Sequence, residues 1–226
     1  MTTTGAGRPR LTTRKRPGAT AREEILDAAA ELFTTRGFAS TSTRMIADAV
    51  GVRQASLYHH FATKDDILAA LLVGTVDSPI DCARALRADS NDAPSTLYAL
   101  VLFDSRQLSA SRWNLGALYL TPELRTERFE YFRARRSELM ELYRQCSRDA
   151  LVAIGTIEPA PDTVLLPFRI VETVINARSD AESDGGGGGT AAIPTSIADA
   201  AVRVLGWQDS TESLQTRAEH LLATAV

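Results

Sequence analysis

A tight turn at Gly51 is the feature that most restricts how this chain can fold. It lies inside residues 42–60, STRMIADAVGVRQASLYHH, between two short segments whose apolar residues recur at helical spacing. Ala47 is small enough for two helices to approach closely, and Gly51 tolerates the positive φ that such a turn requires. Val52 and Leu57 are placed to fill the core beneath the second helix. The pattern predicts a helix-turn-helix.

Helical signals recur along the rest of the chain. Thr20 and Glu23 have the spacing of a capping box, and so have Thr63 and Asp66, which predicts a helix after each threonine. No stretch alternates apolar and polar residues over a useful length, so strands are not expected. The sequence therefore predicts an all-α protein. Its helices are expected at about 21–36, 43–50, 53–59, 64–80, 94–110, 122–154, 161–179, 194–205 and 211–224.

The chain divides into three regions. Its 226 residues suit a small module joined to a larger helical body. Residues 20–64 are predicted to form the helix-turn-helix domain, and residues 65–226 a C-terminal helical domain with a flexible glycine run at 185–189. Residues 1–19 have almost no apolar side chains and are predicted to be a disordered arm. The basic residues of this arm are Arg8, Arg10, Arg14, Lys15 and Arg16.

Charge is distributed unevenly between the two ends. Residues 1–64 carry ten Lys and Arg against five Asp and Glu, whereas residues 65–226 carry fifteen against twenty-three. A basic N-terminal region favours a nucleic-acid partner, although an ordinary acidic protein with a basic tail would show the same imbalance. The arm could lie along the DNA backbone or minor groove, or serve as a mobile solubilising tail.

Other function classes find little support in the residues. Cys82 and Cys146 are too few for a disulfide scaffold, and the glycine run lacks the Lys-Ser/Thr of a phosphate-binding loop. His59 and His60 have no cysteine or acidic partners at metal-binding spacing. No apolar run approaches the roughly 18 residues of a membrane span, and the basic N-terminus is not followed by a signal-peptide core. We therefore expect a cytoplasmic protein that is not an enzyme and uses no cofactor, metal or membrane.

The helix-turn-helix and its flanks resemble the DNA-binding domain of the tetracycline-repressor (TetR) family of bacterial regulators. The most recognisable stretch runs from Ala55 to Lys64, ASLYHHFATK. Ala55 stands where the family often has glycine, and its methyl group is compatible with a helix. The other residues that carry the resemblance are Ile25, Ala28, Ala29, Leu32, Phe33, Gly37, Phe38, Thr41, Ser42, Ile46, Ala47, Ala49, Gly51, Val52 and Leu68.

The resemblance implies that three N-terminal helices bind DNA as half of a dimer, with the third helix in the major groove. Arg53, Gln54 and Ser56 are then candidates for base edges, since Arg and Gln can form paired hydrogen bonds with guanine and adenine. Arg53 could instead contact only phosphate, and Tyr58 could be partly buried in the core. The candidates for phosphate contacts are Ser42, Thr43, Arg44, Tyr58, His59, His60 and Lys64.

The C-terminal body offers candidates for a small-molecule site. Aromatic residues concentrate at 113–132, where they could line a cavity or simply fill a helical core. The predicted helix 161–179 is apolar over most of its circumference, except for a stripe that could anchor a ligand, bond across a dimer or face solvent. The candidate pocket residues are Phe103, Trp113, Asn114, Tyr119, Phe129, Phe132, Phe168 and the stripe Arg169, Glu172 and Asn176.

Family resemblance implies that this body binds an effector and dimerises through the helices at about 161–179 and 194–205. The expected protein is a homodimeric repressor that a small molecule releases from a palindromic operator in double-stranded DNA. A DNA-binding protein regulated without a ligand is an alternative. An enzyme is a second alternative, but it would need a convergent set of acid, base or nucleophile that the sequence does not display.

Overall fold

The computed structural model describes most of the chain, namely residues 16–156, 160, 162–183 and 193–225. Outside the described residues lie the glycine run at 185–189 and four basic positions of the predicted arm, Arg8, Arg10, Arg14 and Lys15.

The described residues form nine α-helices and no strand, which confirms the predicted all-α class. The helices are α1 (Ala21–Arg36), α2 (Thr43–Val50), α3 (Gln54–Tyr58), α4 (Lys64–Asp89), α5 (Ala93–Ala110), α6 (Glu130–Ile154), α7 (Leu166–Ser183), α8 (Ile193–Arg203) and α9 (Glu212–Ala225). Short 3-10 helices cover Leu115–Leu120, Pro122–Arg125, Glu127–Phe129 and Thr163–Leu165. Backbone contacts divide the chain inside α4, into a first unit that ends at Leu68 and a second unit that begins at Ala69.

The first unit is built by α1, α2 and α3, with α2 packing on both of the others. Thr20 begins α1 with the predicted capping box, since its hydroxyl accepts the N–H of Glu23 while the Glu23 carboxylate accepts the N–H of Thr20. The same reciprocal pair joins Thr63 and Asp66 at the start of α4. The buried apolar side chains of this unit include Ile25, Ala29, Phe33, Ile46, Val50 and Leu57.

The structure describes residues 16–19, which the composition assigns to the predicted disordered arm. Arg16 forms an ion pair with Asp27 at 3.2 Å and another with Glu31, both on α1. Its Nε also lies 3.5 Å from the carbonyl oxygen of Ala49 in α2. The prediction of disorder through residue 19 is wrong at Arg16, because composition alone did not show that α1 supplies two carboxylates to this guanidinium.

Helix α4 continues to Asp89 instead of ending near residue 80, and Pro79 lies inside it. Proline has no N–H, so the carbonyl of Thr75, four residues earlier, loses its helical partner. The side-chain amide of Gln107 on α5 donates to that carbonyl at 2.9 Å. The predicted end was wrong because the compensating donor comes from a different helix.

Helix α6 begins at Glu130 rather than near residue 122. Extended backbone at Thr121 and Thr126 separates the short 3-10 helices that precede it. Arg133 donates to the carbonyls of Leu124 and Thr126, so a side chain satisfies acceptors that a continuous helix would use internally. The long helix predicted at 122–154 is therefore interrupted at its start.

Helix α5 forms the centre of the second unit, where α6, α7, α8 and α9 pack against it. Its residues 97–102 are fully buried, as expected of a helix surrounded by others. Helices α7 and α8 also pack against each other, and they correspond to the helices predicted at 161–179 and 194–205. No helix among the described residues is long and apolar enough to cross a membrane.

Candidate DNA interface and ligand cavity

The helix-turn-helix presents a polar surface around one buried anchor. Gly51 ends α2 in the left-handed conformation, with φ of 79°, and its N–H bonds to the carbonyl of Ala47 at 2.9 Å. Helix α3 then buries Leu57 completely. Because the turn and this anchor fix α3 on α2, its polar residues remain accessible. The exposed residues are Arg53, Gln54, Tyr58, His59 and His60, and Ser56 is half-buried.

Three of the predicted DNA contacts form a hydrogen-bonded cluster between α2 and α3. Gln54 Nε2 donates to Thr43 Oγ1 at 2.9 Å. The Tyr58 hydroxyl lies 3.2 Å from the same oxygen and 3.4 Å from Gln54 Nε2. Tyr58 is 48% exposed, so it is a surface residue rather than a core residue. The cluster orients the Gln54 amide before any DNA is bound.

The start of α2 offers a second accessible group of donors. Ser42 caps the helix, since its Oγ accepts the N–H of Met45 at 3.2 Å. Arg44 is exposed and lies 3.9 Å from Asp48, one turn later. No acidic residue occupies the first turn of α2, so the positive end of the helix dipole is not compensated there. This end is suited to a phosphate.

Lys64 has a structural role that sequence reasoning missed. Its Nζ donates to the carbonyls of Phe38 at 2.7 Å and Thr41 at 2.8 Å, and lies 4.1 Å from the centroid of the Phe38 ring. These contacts tie the start of α4 to the connection between α1 and α2. An ammonium group has three N–H donors, so a further bond to a phosphate is compatible with this role.

The second unit contains a cavity of about 510 Å³ between α6, α7 and the 3-10 helix Leu115–Leu120. An adjoining inner part adds only about 20 Å³ and is lined by residues of α4 and α5 as well. The volume lies within the usual range for small-molecule sites. The larger part is lined by Gly116, Ala117, Tyr119, Leu120, Arg136, Arg169, Glu172, Ile175, Asn176 and Ser179.

The charged side chains of this cavity form a compact cluster. One carboxylate oxygen of Glu172 on α7 accepts from Arg136 on α6, and the other accepts from Arg169 at 2.7 Å. The guanidinium of Arg136 also lies over two aromatic rings, 5.5 Å from the centroid of Tyr119 and 5.3 Å from that of Phe168. These contacts hold a cation in the cavity wall.

One buried and one partly buried hydrogen bond mark the inner end of the cavity. The carboxylate of Asp104 accepts from the Tyr143 hydroxyl at 2.9 Å, and burial raises the pKa of Asp104 to about 7 because the charged form is poorly solvated there. The Tyr119 hydroxyl lies 2.6 Å from that of Thr75 on α4. Burial also raises the pKa of Tyr119, so its hydroxyl acts as a neutral hydrogen-bonding group.

Half of the predicted pocket residues line this cavity, and half do not. Asn114 is buried and donates to the carbonyl of Ile175 at 2.9 Å and to Ser179 Oγ at 3.0 Å, so it braces the 3-10 helix against α7. An aromatic pattern does not distinguish a cavity wall from a solid core, and five of the predicted residues lie outside this cavity. The residues that line it are Tyr119, Phe168, Arg169, Glu172 and Asn176. Those that lie elsewhere are Phe103, Trp113, Asn114, Phe129 and Phe132.

Sequence reasoning missed several polar members of the site. Positions 129, 132, 136, 139, 143, 146, 150 and 153 form a seam spaced alternately by three and four residues. Arg136 is the one charged residue in this otherwise apolar seam, and that interruption was the available signal. Asp104 and Thr75 lie on α5 and α4, and no local pattern connects them to α7. The seam also predicts burial of Ala153, which is exposed.

The two cysteines are free and buried. Burial raises the pKa of the Cys82 thiol to about 12 and also raises that of Cys146, so both remain protonated and unreactive at neutral pH. Within the described part of the chain, no group of three or more His, Cys, Asp or Glu side chains is arranged to hold a metal ion.

Comparison with known proteins agrees with the DNA-binding geometry. The sequence model of "Bacterial regulatory proteins, tetR family" matches residues 25–71. The chain is 37% identical over 125 residues to the HTH-type transcriptional repressor KstR2 of Rhodococcus jostii, a match that covers 54% of this chain and 61% of that relative. The chain thus spans about three fifths of the length of this curated relative.

Solved structures extend the similarity to nearly the whole chain. Mycobacterium smegmatis AmtR superposes with a TM-score of 0.85 and 55% identity, covering 93% of this chain and 98% of AmtR. A TetR-family regulator from Bordetella parapertussis, at 20% identity and a TM-score of 0.66 over 85% of this chain and 100% of that one, shares the fold. With its helix-turn-helix, its helical second unit and this similarity, the chain belongs to the TetR family of bacterial DNA-binding transcriptional regulators.

Proposed function

We propose that the protein is a homodimeric transcriptional repressor that binds a palindromic operator and releases it when a small molecule occupies the cavity. The observation that carries the proposal is the combination, in one chain, of an accessible helix-turn-helix with a second unit that contains a cavity. The similarity to KstR2, a transcriptional repressor, supports the direction of regulation.

The DNA contacts follow from the exposed surface of the first unit. Arg53, Gln54 and Ser56 lie at the accessible side of α3 and contact base edges in the major groove. The remaining contacts are to phosphates, which set the position of the protein without reading the sequence. They come from Ser42, Thr43, Arg44, Tyr58, His59, His60 and Lys64.

The dimer forms through α7 and α8, which already pack against each other. Both helices leave apolar side chains partly exposed, namely Ile170 and Ala177 on α7 and Ile197 on α8, and exposed Val204 directly follows α8. A two-fold dimer carries two helix-turn-helix motifs, so its operator has two inverted half-sites about one helical turn apart or a related distance.

Ligand binding and operator binding weaken each other, because each favours a different conformation of the dimer. By linkage, a ligand that weakens operator binding is itself bound more weakly by the operator complex, by the same factor. Helix α4 is the covalent route for this coupling, because it carries Lys64 at its start and Thr75 at the cavity. The proposal assigns the chain no catalytic role and places its action in the cytoplasm, where bacterial DNA lies.

The first experiment selects binding sites from a random DNA pool with the purified chain, and measures the mass of the complex by analytical ultracentrifugation. We expect an inverted-repeat sequence bound by a dimer. Selection of a single unrepeated half-site, or a monomeric complex, would contradict the dimeric operator.

A second experiment titrates the operator complex with a small-molecule library and compares two substitutions of exposed alanines. Ala117→Trp fills the cavity mouth and should abolish any effector response while operator affinity is kept. Ala134→Trp, on α6 but not in the cavity lining, is the control and should respond normally. An effector that acts equally on both variants would exclude the cavity as its site.

A further inference from the structure

We propose that the cavity binds an organic carboxylate with an apolar body, held by Arg136 and Arg169. This inference rests on the proposed function only in taking the cavity as the effector site. It adds the chemical class of the ligand, which follows from the two arginines, the Nε of Arg136 and the apolar part of the cavity wall.

Cationic groups outnumber anionic groups at the wide part of the cavity. Glu172 is the one carboxylate among the residues that line it, and it accepts from both Arg136 and Arg169. Asp104, in the inner part, accepts from Tyr143, and its raised pKa of about 7 leaves it only partly charged at neutral pH. A ligand anion therefore meets a positive potential.

Arg136 also has a hydrogen-bonding group without an acceptor. Its terminal nitrogens bond to Glu172 and lie 3.8 Å from the sulfur of Met140, but its Nε is buried and has no partner among the described residues. Burying a cationic donor without an acceptor is costly. The planar guanidinium suits a two-oxygen anion, and a ligand carboxylate that turns it toward the opening gives Nε an acceptor.

The remaining wall defines the body of the ligand. Ala117, Leu120, Ile175 and the ring of Tyr119 give one part of the cavity an apolar surface. The volume of about 510 Å³ exceeds the size of a carboxylate group alone, so an apolar body fits beside it. The inner part, of about 20 Å³, does not admit this body, so the body lies in the wide part of the cavity.

The effect of Glu172 on binding distinguishes a carboxylate ligand from a cationic one. Because this carboxylate already accepts from both guanidiniums, a ligand carboxylate competes with it for Arg136 and Arg169. Removing the charge of Glu172 should therefore tighten the binding of a carboxylate, whereas the same change at the anchor of a cationic ligand would weaken it.

The test uses the full chain and isothermal titration calorimetry with matched probes. These are hexanoate, hexanamide and hexylammonium, together with 3-phenylpropanoate and its amide. We expect at least one carboxylate to bind ten-fold or more tightly than its amide, and hexylammonium to bind more weakly still. Glu172→Gln should raise carboxylate affinity several-fold.

Two arginine substitutions separate the anchor from general surface charge. Arg169→Gln should weaken carboxylate binding about ten-fold and change amide binding little. Arg148→Gln is the matched control, since Arg148 is 53% exposed against 51% for Arg169 and also faces a glutamate, Glu141, at 3.4 Å. Arg136→Lys, which keeps the charge but removes Nε, should also weaken the carboxylate, and circular dichroism checks that it folds.

The proposal is overturned if neither carboxylate binds, or if an amide or the ammonium binds as tightly as its carboxylate. It is also overturned if Glu172→Gln weakens carboxylate binding. Operator affinity, measured with the same preparations, separates this inference from the proposed function. A carboxylate that binds in the cavity but leaves operator affinity unchanged contradicts effector release and leaves the ligand class standing.

Discussion

The two sites of this protein differ in how far apart their residues lie along the chain. The proposed DNA interface is contained in residues 42–64, where one turn and one buried leucine fix the surface. The cavity is assembled from four α-helices and a 3-10 helix, with residues from Thr75 to Ser179. Short-range sites are therefore visible as motifs, whereas long-range sites are visible only after folding.

The two sites also differ in how their polar groups are solvated. At the proposed DNA interface, polar residues such as Arg53 and His60 are exposed, so their removal should change DNA binding without changing stability. In the cavity, polar groups such as Asp104 and Arg136 are buried or partly buried and already paired. Substitutions there should change stability and ligand binding together.

The largest effect should come from truncating a buried phenylalanine in the solid core. Phe33→Ala should lower the free energy of unfolding by about 3–5 kcal/mol, measured by urea denaturation. Phe168→Ala should cost less, because Phe168 lines the inner part of the cavity and its truncation extends an existing space. Equal losses for the two variants would contradict the contrast between solid core and cavity wall.

The next effect concerns pH. The unfolded chain ionises an aspartate near pH 4, whereas folded Asp104 keeps its proton until about pH 7. The folded state therefore loses stability as pH rises between these values, and the loss is complete above pH 7. Asp104→Asn should be more stable than the wild type at pH 8, by up to about 4 kcal/mol, and should lose this advantage by pH 4.

Thermal and urea unfolding at pH 4, 6 and 8 would check this dependence. Asp209→Asn, at an exposed position, is the control and should not change the pH dependence of stability. A constant difference between Asp104→Asn and wild type across this range would show that Asp104 does not titrate near neutrality in the folded state.

A smaller effect, confined to DNA binding, should follow from changes on α3. Arg53→Ala and Gln54→Ala should each weaken operator binding by about 1–3 kcal/mol and relax discrimination at one base pair. Unfolding free energies should stay within about 0.5 kcal/mol of the wild type, because both side chains are exposed. Fluorescence anisotropy with operator variants measures both effects. Arg36→Ala, exposed at the end of α1, is the control.

The smallest effect should come from the cluster that orients Gln54. Thr43→Val and Tyr58→Phe each remove one hydroxyl, and each should weaken operator binding by about 0.5–1.5 kcal/mol. Thr35→Val is matched to Thr43→Val, because the Thr35 hydroxyl bonds only within α1, to the carbonyl of Glu31. An unchanged affinity in Thr43→Val would mean that the cluster does not pre-organise the amide.

The sequence by itself determined the features that depend on neighbouring residues. Periodic apolar residues, two capping boxes and the left-handed glycine at 51 specify the helix-turn-helix, because each of these signals acts within one or two helical turns. The stripe Arg169, Glu172 and Asn176 was also visible, since its three polar residues interrupt a helix that is apolar over most of its circumference.

Only the tertiary structure decided the features whose partners come from distant segments. Helix α4 passes through Pro79 because Gln107 on another helix bonds the freed carbonyl. The stripe on α7 became part of a cavity because Arg136 and Tyr119 reach it from α6 and the 3-10 helix, while Phe129 and Phe132, equally aromatic, filled the core. Apolar pattern specifies that a side chain is buried, and packing between distant helices decides whether it faces a neighbour or an opening.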